Sequence, residues 1–231
     1  MNTSTTALAS MLVKLGHADT MLCGVLGQYH RHLRRVRGVF DMQPGMKQPA
    51  ALSLMLTPKG PIFITDTQVH EHPTADELVA ITLRAARAIE LFGITPKIAL
   101  LSASNFGTRM DLPSSTNMRE ALAKIRASHP ELEIEGEMKA DYALIEQLRQ
   151  EVFPGNRLQG MANLLIMPNL DAGNISLNLL KAATDATMVG PMLLGVDAPV
   201  HVLTNNATTR RIINMAAVAV VEAQMAKNQT H

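Results

Sequence analysis

An α/β domain is the fold class that the sequence predicts, and three observations predict it. Short β-branched or Leu-rich runs alternate along the chain with longer stretches of helical period. Helix punctuation falls between them, most clearly at Thr74, where Glu77 three residues on completes the signature of a capping box. Three strand candidates are followed by loops of small hydrogen-bonding residues, the position at which an open α/β sheet holds its ligand.

The elements follow in order. Leu8, Met11, Leu12 and Leu15 recur at helical spacing within residues 3–15, and Gly16 supplies a stop. A strand at 20–23 precedes a basic helix at 28–37, with Arg31, Arg34, Arg35 and Arg37 around Leu33 and Val36. Those arginines suit a phosphate-bearing partner, and they equally suit a solvated helix face. Residues 43–49, with two Pro and one Gly, read as a connection between subdomains. Strands at 52–56 and 61–65 flank the turn Pro58-Lys59-Gly60. The helix at 73–92 carries Leu78, Ile81, Ala85, Ile89 and Phe92 on one face and ends at Gly93. A strand at 97–102 leads into a polar loop and a helix at 116–127; a strand at 132–138 leads to a helix at 141–151. After the strand at 164–167, Asp171 is a candidate cap for a helix at 172–182. Strands at 188–194 and 200–203 precede a final helix at 208–225, apolar on nearly all sides and therefore expected to be buried in the domain or at a subunit interface.

Composition bounds the function classes. A chain of 231 residues hides roughly 70–75% of its unfolded surface, and 47% apolar with 18% charged residues is a globular balance. Every long apolar stretch is interrupted by Gly, Pro or a charge, so no membrane-spanning run is expected. No secretory signal is read at the N-terminus, and the one cysteine, Cys23, forms no internal disulfide, so a cytoplasmic location is expected. A net charge of +1, 3% aromatics and no Trp argue against a nucleic-acid partner. The fifteen Met residues read as core filler.

Few standard chemistries fit. One Cys builds no thiolate site, and the eight His show no HExxH context. Val69-His70-Glu71-His72 invites a metal reading but is read as surface residues, and His30 and His32 point to different helix faces. No GxSxG elbow, GxGxxG fingerprint or GxxxxGK[ST] loop occurs. From the residues alone the loops at 102–108, 168–174 and 204–209 define a neutral polar crevice for an unidentified ligand.

Several stretches together resemble the phosphate acetyl/butyryltransferase family, in particular the C-terminal domain of bacterial NADP-dependent malic enzymes. They are GHADTMLCG at 16–24, IFITDTQVHEHPTADEL at 62–78, PKIALLSASNFG at 96–107, EGEMKADYAL at 135–144, ANLLIMPNLDAGNISLNLLK at 162–181 and VGPMLLGVDAPVHVLTNNATTRRIINMAAVAVVEAQ at 189–224. The resemblance implies the two-lobed, three-layer α/β/α fold of the phosphotransacetylase type, akin to isocitrate and isopropylmalate dehydrogenases. It implies a discontinuous first lobe of residues 1–48 and 192–231, a second lobe of 49–191, and a further family segment ahead of Met1.

Active members of the family place a Ser-Arg-Gly turn after the last strand and an Asp shortly downstream, to deprotonate the coenzyme A thiol and bind phosphate. The matching turn here is Thr204-Asn205-Asn206, and Arg211 stands where the Asp belongs. Asn205 provides no charge-assisted clamp, and Arg211 accepts no proton at neutral pH. A second family element, a Thr-Ala-Asp stretch followed by Arg-Pro, is replaced by residues 29–34, where only Arg34 keeps its type. The resemblance thus implies a catalytically degenerate domain that binds acetyl-CoA, regulates an NADP-dependent malic enzyme and helps form a homo-oligomer of dimer size or larger. NADP and a divalent metal would belong to the malic enzyme part. The candidate ligand residues are Arg34, Ser102, Ser104, Asn105, Asn163, Asn174, Thr204, Asn205, Asn206, Arg210 and Arg211. An active phosphate acetyltransferase using the Thr204 hydroxyl, and a purely structural dimerisation domain, are the alternatives.

Overall fold

The computed structural model describes residues 4–228 and divides them between two sheets. Helix α1 (Thr5–Lys14), strand β1 (Met21–Cys23) and helix α2 (Tyr29–Arg37) come first. The middle of the chain runs β2 (Ala50–Thr57), β3 (Gly60–Thr65), α3 (Ala75–Glu90), β4 (Lys97–Leu101), α4 (Pro113–Ser128), β5 (Glu133–Met138), α5 (Ala140–Leu144), α6 (Glu146–Val152), β6 (Leu164–Ile166), α7 (Leu170–Ala183) and β7 (Thr187–Leu194). Strand β8 (Val200–Val202) and helix α8 (Thr209–Asn228) complete it. Thr3, included in the first expected helix, lies outside the described residues.

The large sheet has the order β5-β4-β6-β3-β2-β7. β3, β6, β4 and β5 pair in parallel, while β2 runs antiparallel to both β3 and β7. Its strands are buried on both faces, as the Leu- and Ile-rich runs require. One face packs Leu52, Phe63, Ile98 and Ile166 against Leu78, Ile81 and Ile89 of α3 and Met118 and Ile125 of α4. The other packs Ile64, Ala99 and Leu165 against Ala143 of α5 and Leu177 of α7. This is the three-layer α/β/α arrangement. Residues 192–194 stay in the large sheet, because Ala50, Ala51 and Leu52 pair with Leu194, Leu193 and Met192.

The small sheet pairs β1 with β8 in parallel, Met21 opposite Val200 and Cys23 opposite Val202, although the two segments are about 180 residues apart in the chain. Gly24, at φ +97°, follows β1 so closely under β8 that an added Cβ would lie 2.3 Å from the Leu203 carbonyl oxygen.

Local signals hold where they are strong. Thr74 accepts the Glu77 N–H and Glu77 reaches back to the Thr74 N–H, so the capping box forms. Replacing Thr74 with Ala is expected to destabilise the domain by about 1 kcal/mol, read as a lower urea midpoint at constant slope. Two expectations are corrected. Asn169, not Asp171, caps α7 by accepting the Ala172 N–H, so the helix begins two residues earlier. The helix expected at 141–151 is broken at Ile145, whose extended backbone separates α5 from α6. Helix α8 buries Arg211, Met215, Ala219 and Ala223 and leaves Ile213, Val220 and Val221 exposed, so the chain itself covers only one of its faces.

Arg149 is a further departure from pattern reading. Its side chain is wholly buried, and its guanidinium donates to the carbonyls of Tyr142, Leu158 and Gly160 and to Asn156 Oδ1, pinning residues 142–160 under the sheet. Burial pulls it below its ordinary pKa.

Candidate functional site

Because β1 and β8 are parallel, the loops leaving them emerge at one edge. Leu203 donates its N–H to the Cys23 carbonyl at 2.7 Å, so residues 204–208 start out beside the loop that leaves β1. There Arg211 turns inward and is only 7% exposed. Its Nη1 donates to Thr204 Oγ1 at 3.3 Å and Asn206 Oδ1 at 3.2 Å. The Thr204 hydroxyl donates to Asn206 Oδ1 at 2.6 Å. No Asp or Glu forms an ion pair with Arg211 among the described residues, and burial lowers its pKa.

A buried arginine with no counter-ion and donors to spare is a local positive charge. It also has a chemical consequence for Thr204, whose proton goes to an amide oxygen and whose nearest ionic neighbour is a cation. Among the described residues, neither group bonded to this hydroxyl, the Asn206 amide or the Arg211 guanidinium, takes up a proton at neutral pH. Arg210, by contrast, is exposed, as are Asn205 and Arg34. The two adjacent arginines of α8 therefore do different things, a split that helical phase decides.

Three further candidates gather at the carboxyl end of β4. Ser102 Oγ lies 2.6 Å from Ser115 Oγ, and Asn105 Oδ1 accepts the Lys139 N–H at 2.8 Å. Ser104 donates to Glu137 Oε1 at 2.7 Å, the oxygen that also accepts the Gly107 N–H. Glu137 is fully buried, with Arg119 Nε 3.7 Å from its second oxygen. The loop is thus organised around a carboxylate that pattern reading passed over, since a single Glu in a strand gives no sign of which loop it will meet.

Asn174, expected in the loop 168–174, lies instead in the second turn of α7 and donates to the Thr67 carbonyl at 3.3 Å. Asn163 is not brought to either group. It lies at the amino end of β6, where Oδ1 accepts the Lys97 N–H and Nδ2 donates to the Thr95 carbonyl, so its side chain ties strand ends at the opposite edge from Ser102.

The turn after β3 completes the region. Asp66 Oδ1 accepts the N–H groups of Ala51, Gln68 and Val69, and Oδ2 accepts that of His70. His70, expected at the surface, is only 2% exposed, while Glu71 and His72 are exposed. Val69 packs in the same apolar cluster as Tyr29 of α2, so this turn and the start of α2 meet. Burial, then the nearby Asp66 and Cys23, push the Tyr29 phenol well above its ordinary pKa. A surface groove of about 670 Å³ lies elsewhere, at the amino end of β8 beside Arg84, Pro199 and Glu222, and includes none of these residues.

Fold and site together define a two-sheet α/β domain with polar loops at the carboxyl edges of its parallel strands, the place where such sheets hold ligands. The chain belongs to the phosphate acetyl/butaryl transferase family, whose model matches residues 1–220. It is 49% identical over 220 residues to the NADP-dependent malic enzyme of Escherichia coli K12, covering 95% of this chain and 29% of that protein. It is 32% identical to a phosphate acetyltransferase of Acetivibrio thermocellus, covering 94% of this chain and 67% of that one. The crystal structure of a phosphotransacetylase from Streptococcus pyogenes superposes with a TM-score of 0.88 at 27% identity, covering 95% of this chain and 67% of that chain. The chain thus spans less than a third of the malic enzymes it matches. No helix among the described residues is long and apolar enough to cross a membrane.

Proposed function

We propose that this domain binds acetyl-CoA without transferring its acetyl group, and that the bound thioester regulates an NADP-dependent malic enzyme and its assembly in the cytoplasm. The observation that carries the reading is the buried, acid-free Arg211 beside Thr204 and Asn206. A fixed cation with free donors suits the phosphates of coenzyme A, and the same cation is the wrong group to receive a thiol proton. In this reading the first lobe draws on both ends of the chain and the second on its middle, with residues 192–194 in the second lobe's sheet. The ligand occupies the region where the turn after β3 meets α2, NADP and the divalent metal belong to the malic enzyme part, and the regulated species is a homo-oligomer.

Effector coupling requires that acetyl-CoA prefer one of two states. Titration calorimetry of the folded domain with acetyl-CoA is expected to give saturable binding, with no thiol released when phosphate is added. Heats equal to buffer would end the proposal and leave a dimerisation domain, a role that the exposed apolar residues of α1 and α8 would serve. Phosphate-dependent thiol release abolished by Thr204→Ala would instead establish a working transferase.

A further inference from the structure

The junction between the two sheets holds an unusual group of buried polar atoms. Tyr29 OH, at the first residue of α2, Thr65 Oγ1, at the end of β3, and His70 Nε2 are each shielded from solvent with no hydrogen-bond partner. Buried polar atoms are almost always paired, so an orphan of this kind calls for an explanation, and here three attend one turn. The turn's own carboxylate does not supply it. Asp66 already accepts four backbone N–H groups, and its Oδ2 is 3.9 Å from His70 Nε2, too far for a hydrogen bond.

Each orphan has a proton to donate, and the Tyr29 and Thr65 hydroxyls can accept as well. Gln48 Nε2 lies 3.0 Å from His70 Nδ1, so the amide donates to Nδ1 and the ring proton resides on Nε2. The Tyr29 phenol keeps its proton, because burial and the neighbouring Asp66 disfavour the phenolate. What these donors lack is an acceptor. Burial raises the Asp66 pKa even against its four N–H groups, and a phosphate or carboxylate beside it would add a second buried negative charge. A neutral acceptor with lone pairs, such as a carbonyl oxygen, meets no such penalty.

We infer that Tyr29 and His70 form the acyl-recognition end of the ligand site, donating to the thioester carbonyl while Arg211 serves the phosphates. This assignment rests on the acetyl-CoA reading above and adds to it the residue that distinguishes an acylated coenzyme from an unacylated one. It also accounts for a tyrosine at the position where this chain departs from the family's Thr-Ala-Asp element.

The test compares acetyl-CoA with S-ethyl-coenzyme A, a thioether of nearly the same shape that has no carbonyl. By calorimetry the wild-type domain is expected to bind acetyl-CoA about tenfold more tightly, the size of one or two buried neutral hydrogen bonds. Tyr29→Phe is expected to reduce that ratio to about two. Equal wild-type affinities, or a tenfold ratio that survives Tyr29→Phe, would overturn the inference while leaving coenzyme binding intact. Failure of both ligands to bind would instead remove the acetyl-CoA reading itself. A second readout, which keeps Tyr29 in place, comes from the tyrosines, of which the chain has two, with no Trp. In Tyr142→Phe the remaining phenol is Tyr29, and its near-ultraviolet absorbance should shift on adding acetyl-CoA but not the thioether; identical spectra with both ligands would count against the assignment.

Discussion

Replacing Arg211 with Met is expected to weaken acetyl-CoA binding by about 10–100-fold, since hydrogen bonds to charged groups contribute roughly 1.5–3 kcal/mol. The same substitution should leave the melting temperature unchanged or raise it. Arg211 is 7% exposed and lacks an acidic partner, so its burial is a cost that an apolar side chain of similar length avoids. Lost affinity without lost stability is the signature of a residue kept for a ligand. The opposite pair of results, a sharp fall in stability with affinity intact, would make the bonds to Thr204 and Asn206 a structural clamp on the start of α8. Arg210→Met serves as the control, because that neighbour is exposed and should have a far smaller effect on either quantity.

Gly173→Ala is the substitution expected to cost the fold most. Within a helix Ala is ordinarily favoured over Gly by about 1 kcal/mol. At this position the added Cβ would stand 2.0 Å from the Asp66 carbonyl oxygen and 3.1 Å from its carbon, an approach that only movement of the backbone relieves. A loss of about 3 kcal/mol in urea denaturation is expected, the upper part of the range for overpacking. The displaced segment is the turn that carries Asp66 and His70, so any folded fraction should also bind acetyl-CoA more weakly. A neutral or stabilising result would mean that α7 does not rest on this turn.

The α/β class, the order of strands and helices and the Thr74 capping box were legible because each is written in residues close together in the chain. Periods of 2 and 3.6 and a cap three residues from its partner need no knowledge of the rest of the molecule. The candidate residues at 204–211 were named for another reason: the resemblance aligns the family's turn with Thr204-Asn205-Asn206 and its downstream Asp with Arg211, and a guanidinium in place of a carboxylate accepts no proton in any fold.

Long-range pairing settled the remainder. Asn163 and Ser102 look alike as polar residues bordering strands, yet parallel pairing of β4 with β6 sends them to opposite ends of the sheet. His70 reads as surface between a strand and a helix start, but Asp66 gathers four N–H groups and folds the turn inward. Glu137 and Arg149 carry no motif, and their roles arise from loops 30 or so and 11 residues away respectively. Tyr29 acquires its buried hydroxyl only because β1 and β8 join to place α2 against the turn after β3. Local pattern specifies which element a residue belongs to; which groups converge, and which are left without a partner, follows from packing between segments far apart in the chain.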